Sequence, residues 1–101
     1  MGNAQLIKFR HGSHKGIFHY VPYDNAFVAL SETNTGKIEY IKETKSLDIT
    51  FDLQSETYDV MSVDVIEDKE YIQEVYDYML NTDNTYFKNG IEGLCVLKFH
   101  K

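Results

Sequence analysis

The sequence predicts a small α+β domain, an antiparallel sheet or barrel of six strands with two helices. Three observations carry that expectation. Segments with strand patterning outnumber helical ones. Most are joined by short turns, which favours antiparallel pairing. The chain has 101 residues, 43% hydrophobic and 26% charged, which suits one globular domain over residues 1–101 rather than a disordered chain.

Ala4 to Arg10 reads as the first strand, with Leu6, Ile7 and Phe9 as its apolar members. The glycine-containing stretch His11 to Gly16 reads as a turn. Ile17 to Tyr23, aromatic and β-branched, reads as the second strand, and Asp24-Asn25 as a tight turn. Ala26 to Ser31 is a near-continuous apolar run, the mark of a buried third strand. A short helix follows, capped by Asn34 or Thr35, with Ile38 and Ile41 on its inner stripe and its end near Thr44. Leu47, Ile49, Phe51 and Leu53 then alternate with polar residues, the cleanest half-buried strand in the chain.

Tyr58 to Ile66 reads as a longer strand, with Tyr58, Val60, Ser62 and Asp64 on one face and Met61, Val63 and Val65 on the other. Asp68 is a good N-cap for a second helix ending at Asn81, whose stripe is Tyr71, Ile72, Val75, Tyr76, Met79 and Leu80. That stripe suits a core face, although Tyr71, Tyr76 and Tyr78 would also suit a subunit interface. The last strand spans Leu94 to Phe99.

Charge narrows the function classes. The net charge is −6, and the first 23 residues hold three bases and no acid, leaving seven bases against 16 acids beyond them. An acidic domain lacks the basic face that nucleic acid requires. The basic front end could meet a small anion or the acidic surface of a second copy, or be a solvated tail. No apolar run approaches the roughly 20 residues of a membrane span, and no signal peptide is read. The single cysteine, Cys95, excludes an intrachain disulfide, and a cytoplasmic setting fits.

The most informative segment is Ser31-Glu32-Thr33-Asn34-Thr35-Gly36-Lys37, which leaves a buried strand and enters a helix. A lysine in the first helical turn meets the positive end of the helix dipole, and an anion held there would turn that conflict into an attraction. The Thr33 and Thr35 hydroxyls could share the load. One glycine cannot build a Walker cradle, so the competing account is a capped helix with an exposed lysine. His11, His14 and His19 lack metal-site spacing, and no metal is expected. Cys95 reads as a small core residue, and no catalytic residue is singled out.

The run from Ala26 to Asp52 resembles the central segment of the FMN-binding split-barrel proteins, the pyridoxamine 5′-phosphate oxidase-like group. There, a strand ends in Ser or Thr, a polar stretch leads to a lysine opening a helix, and a strand of apolar-x-apolar-x-Phe type follows. This chain offers Ser31, then Thr35-Gly36-Lys37, then Leu47-Asp48-Ile49-Thr50-Phe51. The order continues through Val63 to Asp68, the helix around Val75 to Leu80, Tyr86-Phe87 and the closing Leu94 to Phe99, in the style of the short general-stress-type members. The resemblance implies a six-stranded split β-barrel, a homodimer, FMN in the groove between subunits and oxidoreductase chemistry on a small substrate. It implies Ser31 and Thr35 as hydroxyls near the flavin phosphate and Lys37 as its charge partner, with His19 and Tyr20 on the strand passing the flavin ring. The alternative is a cofactor-free split-barrel dimer with a binding or stress-related role.

Overall fold

The computed structural model describes residues 6–12, 14–82 and 90–100 of the chain. Seven strands and two helices follow in the order β1 (Leu6–His11), β2 (His14–His19), β3 (Val21–Tyr23), β4 (Ala26–Glu32), α1 (Gly36–Thr44), β5 (Ser46–Thr50), β6 (Asp59–Ile66), α2 (Lys69–Asn81) and β7 (Leu94–His100). They build one sheet in the order β2-β1-β5-β6-β7-β4-β3, with every ladder antiparallel.

The α+β class and the two helices agree with the sequence reading; the strand count is a correction, seven rather than six. The segment expected as one strand, Ile17 to Tyr23, breaks at Tyr20. Its first part pairs with β1 and its second with β4. These two pieces are the opposite edges of the sheet, yet only Tyr20 separates them. The sheet must therefore curl until its edges meet there. Among the described residues no ladder joins β2 to β3 or β4, so the curled sheet stays open along that seam.

Local chemistry explains the joints. Asp24 and Asn25 both take positive φ, 55° and 61°, in the two-residue turn between β3 and β4, a backbone twist that suits a tight hairpin. Pro22 lacks an N–H and falls in β3, an edge strand, where the loss is tolerated. Helix α1 ends at Lys45, left-handed at φ 58°, whose N–H donates to the Ile41 carbonyl at 2.7 Å. Asp68 caps α2 by accepting from the Glu70 N–H at 3.1 Å, as expected.

Two cores result. The inner one, inside the curl, gathers Ile7, Phe9, Phe18, Ala29, Leu47, Ile49, Val63, Cys95, Leu97 and Phe99, and α1 closes it with Ile38 and Ile41. The other lies where α2 sets Ile72, Val75, Tyr76 and Met79 against Val28, Leu30 and Val96. The alternation read in β6 holds: Met61, Val63 and Val65 face the inner core while Val60 is 72% exposed. In the earlier alternating segment, expected over Leu47, Ile49, Phe51 and Leu53, Phe51 departs from the pattern. The strand stops at Thr50, and Phe51 lies half exposed against Tyr20 and Phe27, at ring distances of 5.3 Å each.

The basic front end is committed within the chain. Lys8 Nζ donates to the carbonyls of Leu53 and Ser55, Arg10 pairs with Asp48 at 3.2 Å and stacks 4.3 Å over Tyr58, and Lys15 approaches Glu56 at 3.8 Å. These contacts strap the 51–58 connection to β1 and β2. The tyrosines of α2 also resolve: Tyr76 is buried, accepting from the Gly90 N–H at 2.9 Å, while Tyr71 and Tyr78 pack on Tyr23. No described helix is long and apolar enough to cross a membrane.

Candidate functional site

The seam leaves a cavity of about 440 Å³. One wall is β2, through Gly16, Ile17, Phe18 and His19; the other is the end of β4, through Leu30, Ser31 and Glu32. Strand β3 pairs with β4 only as far as Val28, so among the described residues no strand pairs with that end of β4 from the seam side. The cavity therefore follows from the break at Tyr20: β2 stays with β1, β3 stops short, and the gap between them is not filled by backbone.

Lys37 enters the cavity from the first turn of α1. Its Nζ stands 4.8 Å from the Phe18 ring centroid and 5.2 Å from that of Phe9. The two rings stack on each other at 4.5 Å. Phe9 can lie there because Gly16 has no side chain; a Cβ would come within 2.6 Å of the ring. Among the described residues no carboxylate lies within 4.0 Å of the Lys37 ammonium. Burial holds the Lys37 pKa below its ordinary 10.5, while Cys95 and Glu32 nearby pull the other way. A cation withdrawn from water without a bonded partner favours an incoming anion.

The start of α1 adds donors. Thr35 is the N-cap residue in extended conformation, but its side chain makes no capping bond. Its Oγ1 is buried without a hydrogen-bond partner among the described residues. The first intrahelical bond is Ile38 N–H to the Thr35 carbonyl at 3.1 Å, which leaves the Gly36 and Lys37 N–H groups without a partner among the described residues.

Of the five residues the sequence singled out, the structure brings Ser31, Lys37 and His19 to one cavity. Ser31 is nearly inaccessible at 2% exposure, its hydroxyl donating to the Glu32 carbonyl at 3.3 Å. Thr35 stands at the mouth of the same helix, outside the lining. Tyr20 lies apart, its ring edge-on to Phe27 and Phe51, and burial raises its pKa. Sequence reasoning missed Phe9, Gly16 and Phe18 as site residues, because a hairpin glycine facing an aromatic ring is visible only once β1 and β2 are in register (Phe9 opposite Gly16).

Cys95 is fully buried in the inner core, and burial pushes its thiol up to about 11, which suits a core residue. Among the described residues no three His, Cys, Asp or Glu side chains cluster as a metal site would require.

No family model and no curated protein matches this chain. The fold is similar to that of a solved structure. That structure is of a Listeria innocua protein described as a "Putative Pyridoxamine 5'-phosphate oxidase", superposing with a TM-score of 0.63 over 93% of this chain and 79% of that one, at 12% identity. The fold is thus of the pyridoxamine 5′-phosphate oxidase-like kind. At that identity the likeness concerns architecture alone.

Proposed function

We propose that this chain is an FMN-binding protein of the pyridoxamine 5′-phosphate oxidase-like type, working as a homodimer on a small substrate in the groove between subunits. The observation that carries the reading is the Lys37 ammonium, without an ionic partner among the described residues, at the head of a helix whose N-cap hydroxyl, Thr35 Oγ1, is buried and unsatisfied. The donor set suits a phosphate: one ammonium, one hydroxyl in want of a partner and two open backbone N–H groups at the positive end of a helix. Lys37 would balance the phosphate charge, Thr35 and the Gly36 N–H would orient it, and Ser31 and His19 would border the ligand in the cavity. Tyr20 would act as support for the seam. When bound, the flavin supplies the electron chemistry; the chain supplies anchoring and shelter from water.

A dimer accords with the exposed apolar side chains Ile17, Phe51 and Val60, at 55%, 45% and 72%. The alternative reading, a split-barrel dimer without cofactor, is favoured by Glu32, which lines the same cavity and whose negative charge, already felt by Lys37, opposes a phosphate.

The test is a titration of cofactor-stripped protein with FMN, followed by flavin fluorescence, with mass in solution measured on the same sample. Saturable binding at one FMN per subunit of a dimer supports the flavoprotein. A well-folded dimer that binds none removes the cofactor and leaves the alternative.

A further inference from the structure

The cavity has a second property that a phosphate anchor does not use. Among the described residues, six apolar side chains line it with Lys37: Leu6, Phe9, Ile17, Phe18, Leu30 and Met79. They come from both cores, since Phe9 and Phe18 belong to the inner cluster and Leu30 and Met79 to the cluster under α2. A pocket with mostly apolar walls and few convergent polar groups is the ordinary form of a small-molecule site, and about 440 Å³ falls in the range of roughly 300–1,000 Å³ such sites occupy.

We propose that the seam cavity of each chain binds a small amphiphilic monoanion, of the medium-chain or aryl carboxylate class, with its head on Lys37 and its body along Phe9, Phe18, Leu30 and Met79. This goes beyond the flavin reading while sharing Lys37 with it, so the two ligands compete.

Charge selects the head group. Among the described residues Lys37 is the only lysine or arginine in the lining, and Glu32 is also there. One ammonium neutralises one charge, and a second negative charge on the ligand would face Glu32 without compensation. Burial selects the body. Phe9, Phe18, Leu30 and Met79 are already buried from water, so the gain comes from the ligand's own tail, which leaves water against these walls and covers the exposed side of Ile17, at about 25 cal/mol per Å² of apolar surface covered. The head and tail requirements act together. An alcohol of the same length leaves the ammonium without an ionic partner, and a short carboxylate brings little apolar surface of its own to bury.

The experiment is an NMR titration of the full chain with octanoate and, separately, 1-octanol, each below its micellar concentration, repeated on Lys37→Met and Lys37→Arg. The expected result is saturable octanoate binding that moves amide signals of β2 and the end of β4. Affinity should be about tenfold weaker or worse for octanol and for Lys37→Met, and largely kept in Lys37→Arg. Equal affinity for octanoate and octanol in the wild type overturns the proposal, whether or not Lys37→Met folds. Absence of octanoate binding by the folded wild type overturns it too. FMN titrated in the same buffer separates the two readings. FMN binding without octanoate binding leaves the flavoprotein standing and this inference refuted; octanoate binding without FMN binding does the reverse.

Discussion

The Phe9 ring lies directly over Gly16, so close that a Cβ at Gly16 would sit 2.6 Å from two of its carbons. Phe9 in turn stacks on Phe18, and both carry the Lys37 ammonium. A missing side chain on β2 thus sets the position of a cation that belongs to α1. The expected effect of Gly16→Ala is double. The ring must shift against a packed neighbour, at a cost of about 1–3 kcal/mol. The shift also disturbs a ring that lines the cavity and carries Lys37, weakening ligand binding. Thermal unfolding and an FMN or octanoate titration of the variant measure the two effects; unchanged values in both would show that Phe9 has another place to go.

Lys37→Met isolates the charge. The end of the Lys37 side chain already lies over the Phe9 and Phe18 rings, which an apolar thioether also suits, so the fold should survive. The pH dependence has a definite sign. Burial lowers the folded-state pKa below the ordinary 10.5, so in the alkaline range the unfolded chain holds more protons at this residue than the folded one. Relative to Lys37→Met, the wild type should therefore gain stability as pH rises from the depressed folded pKa toward 10.5. Anion binding runs the other way, since the ammonium is lost over the same window. Denaturant melts and titrations across neutral to alkaline pH check both directions.

Cys95 should behave oppositely. Its thiol is raised from an ordinary 9.0 to about 11, so the folded state keeps its proton after the unfolded chain has released it. Stability is whole below the unfolded value and declines as pH rises from about 9 toward about 11. Cys95→Ala should flatten that decline, and the native thiol should react with a thiol reagent far more slowly than the denatured one. Rapid labelling of the native protein at neutral pH would contradict the burial.

How much of this was legible in the sequence depends on the range of the interaction that decides each feature. The alternation in β6, the Asp68 cap and the Asp24-Asn25 turn are local, and the sequence shows them directly. The break at Tyr20 is not local. Ile17 to Tyr23 has unbroken strand character, and it splits only because its two halves pair with strands at opposite edges of the sheet. Lys37 was recognisable as a misplaced cation at a helix start, but its place over Phe9 and Phe18 depends on the β1–β2 register. The basic front end looked available for a ligand because its partners, Asp48, Leu53, Ser55 and Glu56, lie tens of residues away.

That strap yields its own expectation. Lys8 Nζ holds two carbonyls of the 51–58 connection, at Leu53 and Ser55. Lys8→Met keeps the stem and removes both bonds. Hydrogen bonds to a charged group contribute about 1.5–3 kcal/mol when well shielded, and this pair is partly solvated, so a cost of about 1–2 kcal/mol is expected. Amide exchange should quicken in the connection and leave α2 unchanged.

Thr35 separates a ligand-binding hydroxyl from a structural one. A residue at an N-cap normally accepts a bond from the first turn, and replacing it costs about 1 kcal/mol. Thr35 makes no such bond, and its Oγ1 is buried without a partner among the described residues. In the unliganded chain that hydroxyl is a liability: it has lost water and gained nothing. Thr35→Val keeps the shape and the β-branched stem while deleting the oxygen. The variant should therefore melt at the same temperature as the wild type or higher, yet bind FMN several-fold more weakly. A loss of stability with unchanged FMN affinity would assign Thr35 to the cap and take it out of the phosphate site. Retained stability with weakened FMN binding, alongside unchanged octanoate affinity, would place the phosphate at the helix start and the carboxylate deeper in the seam, against Lys37.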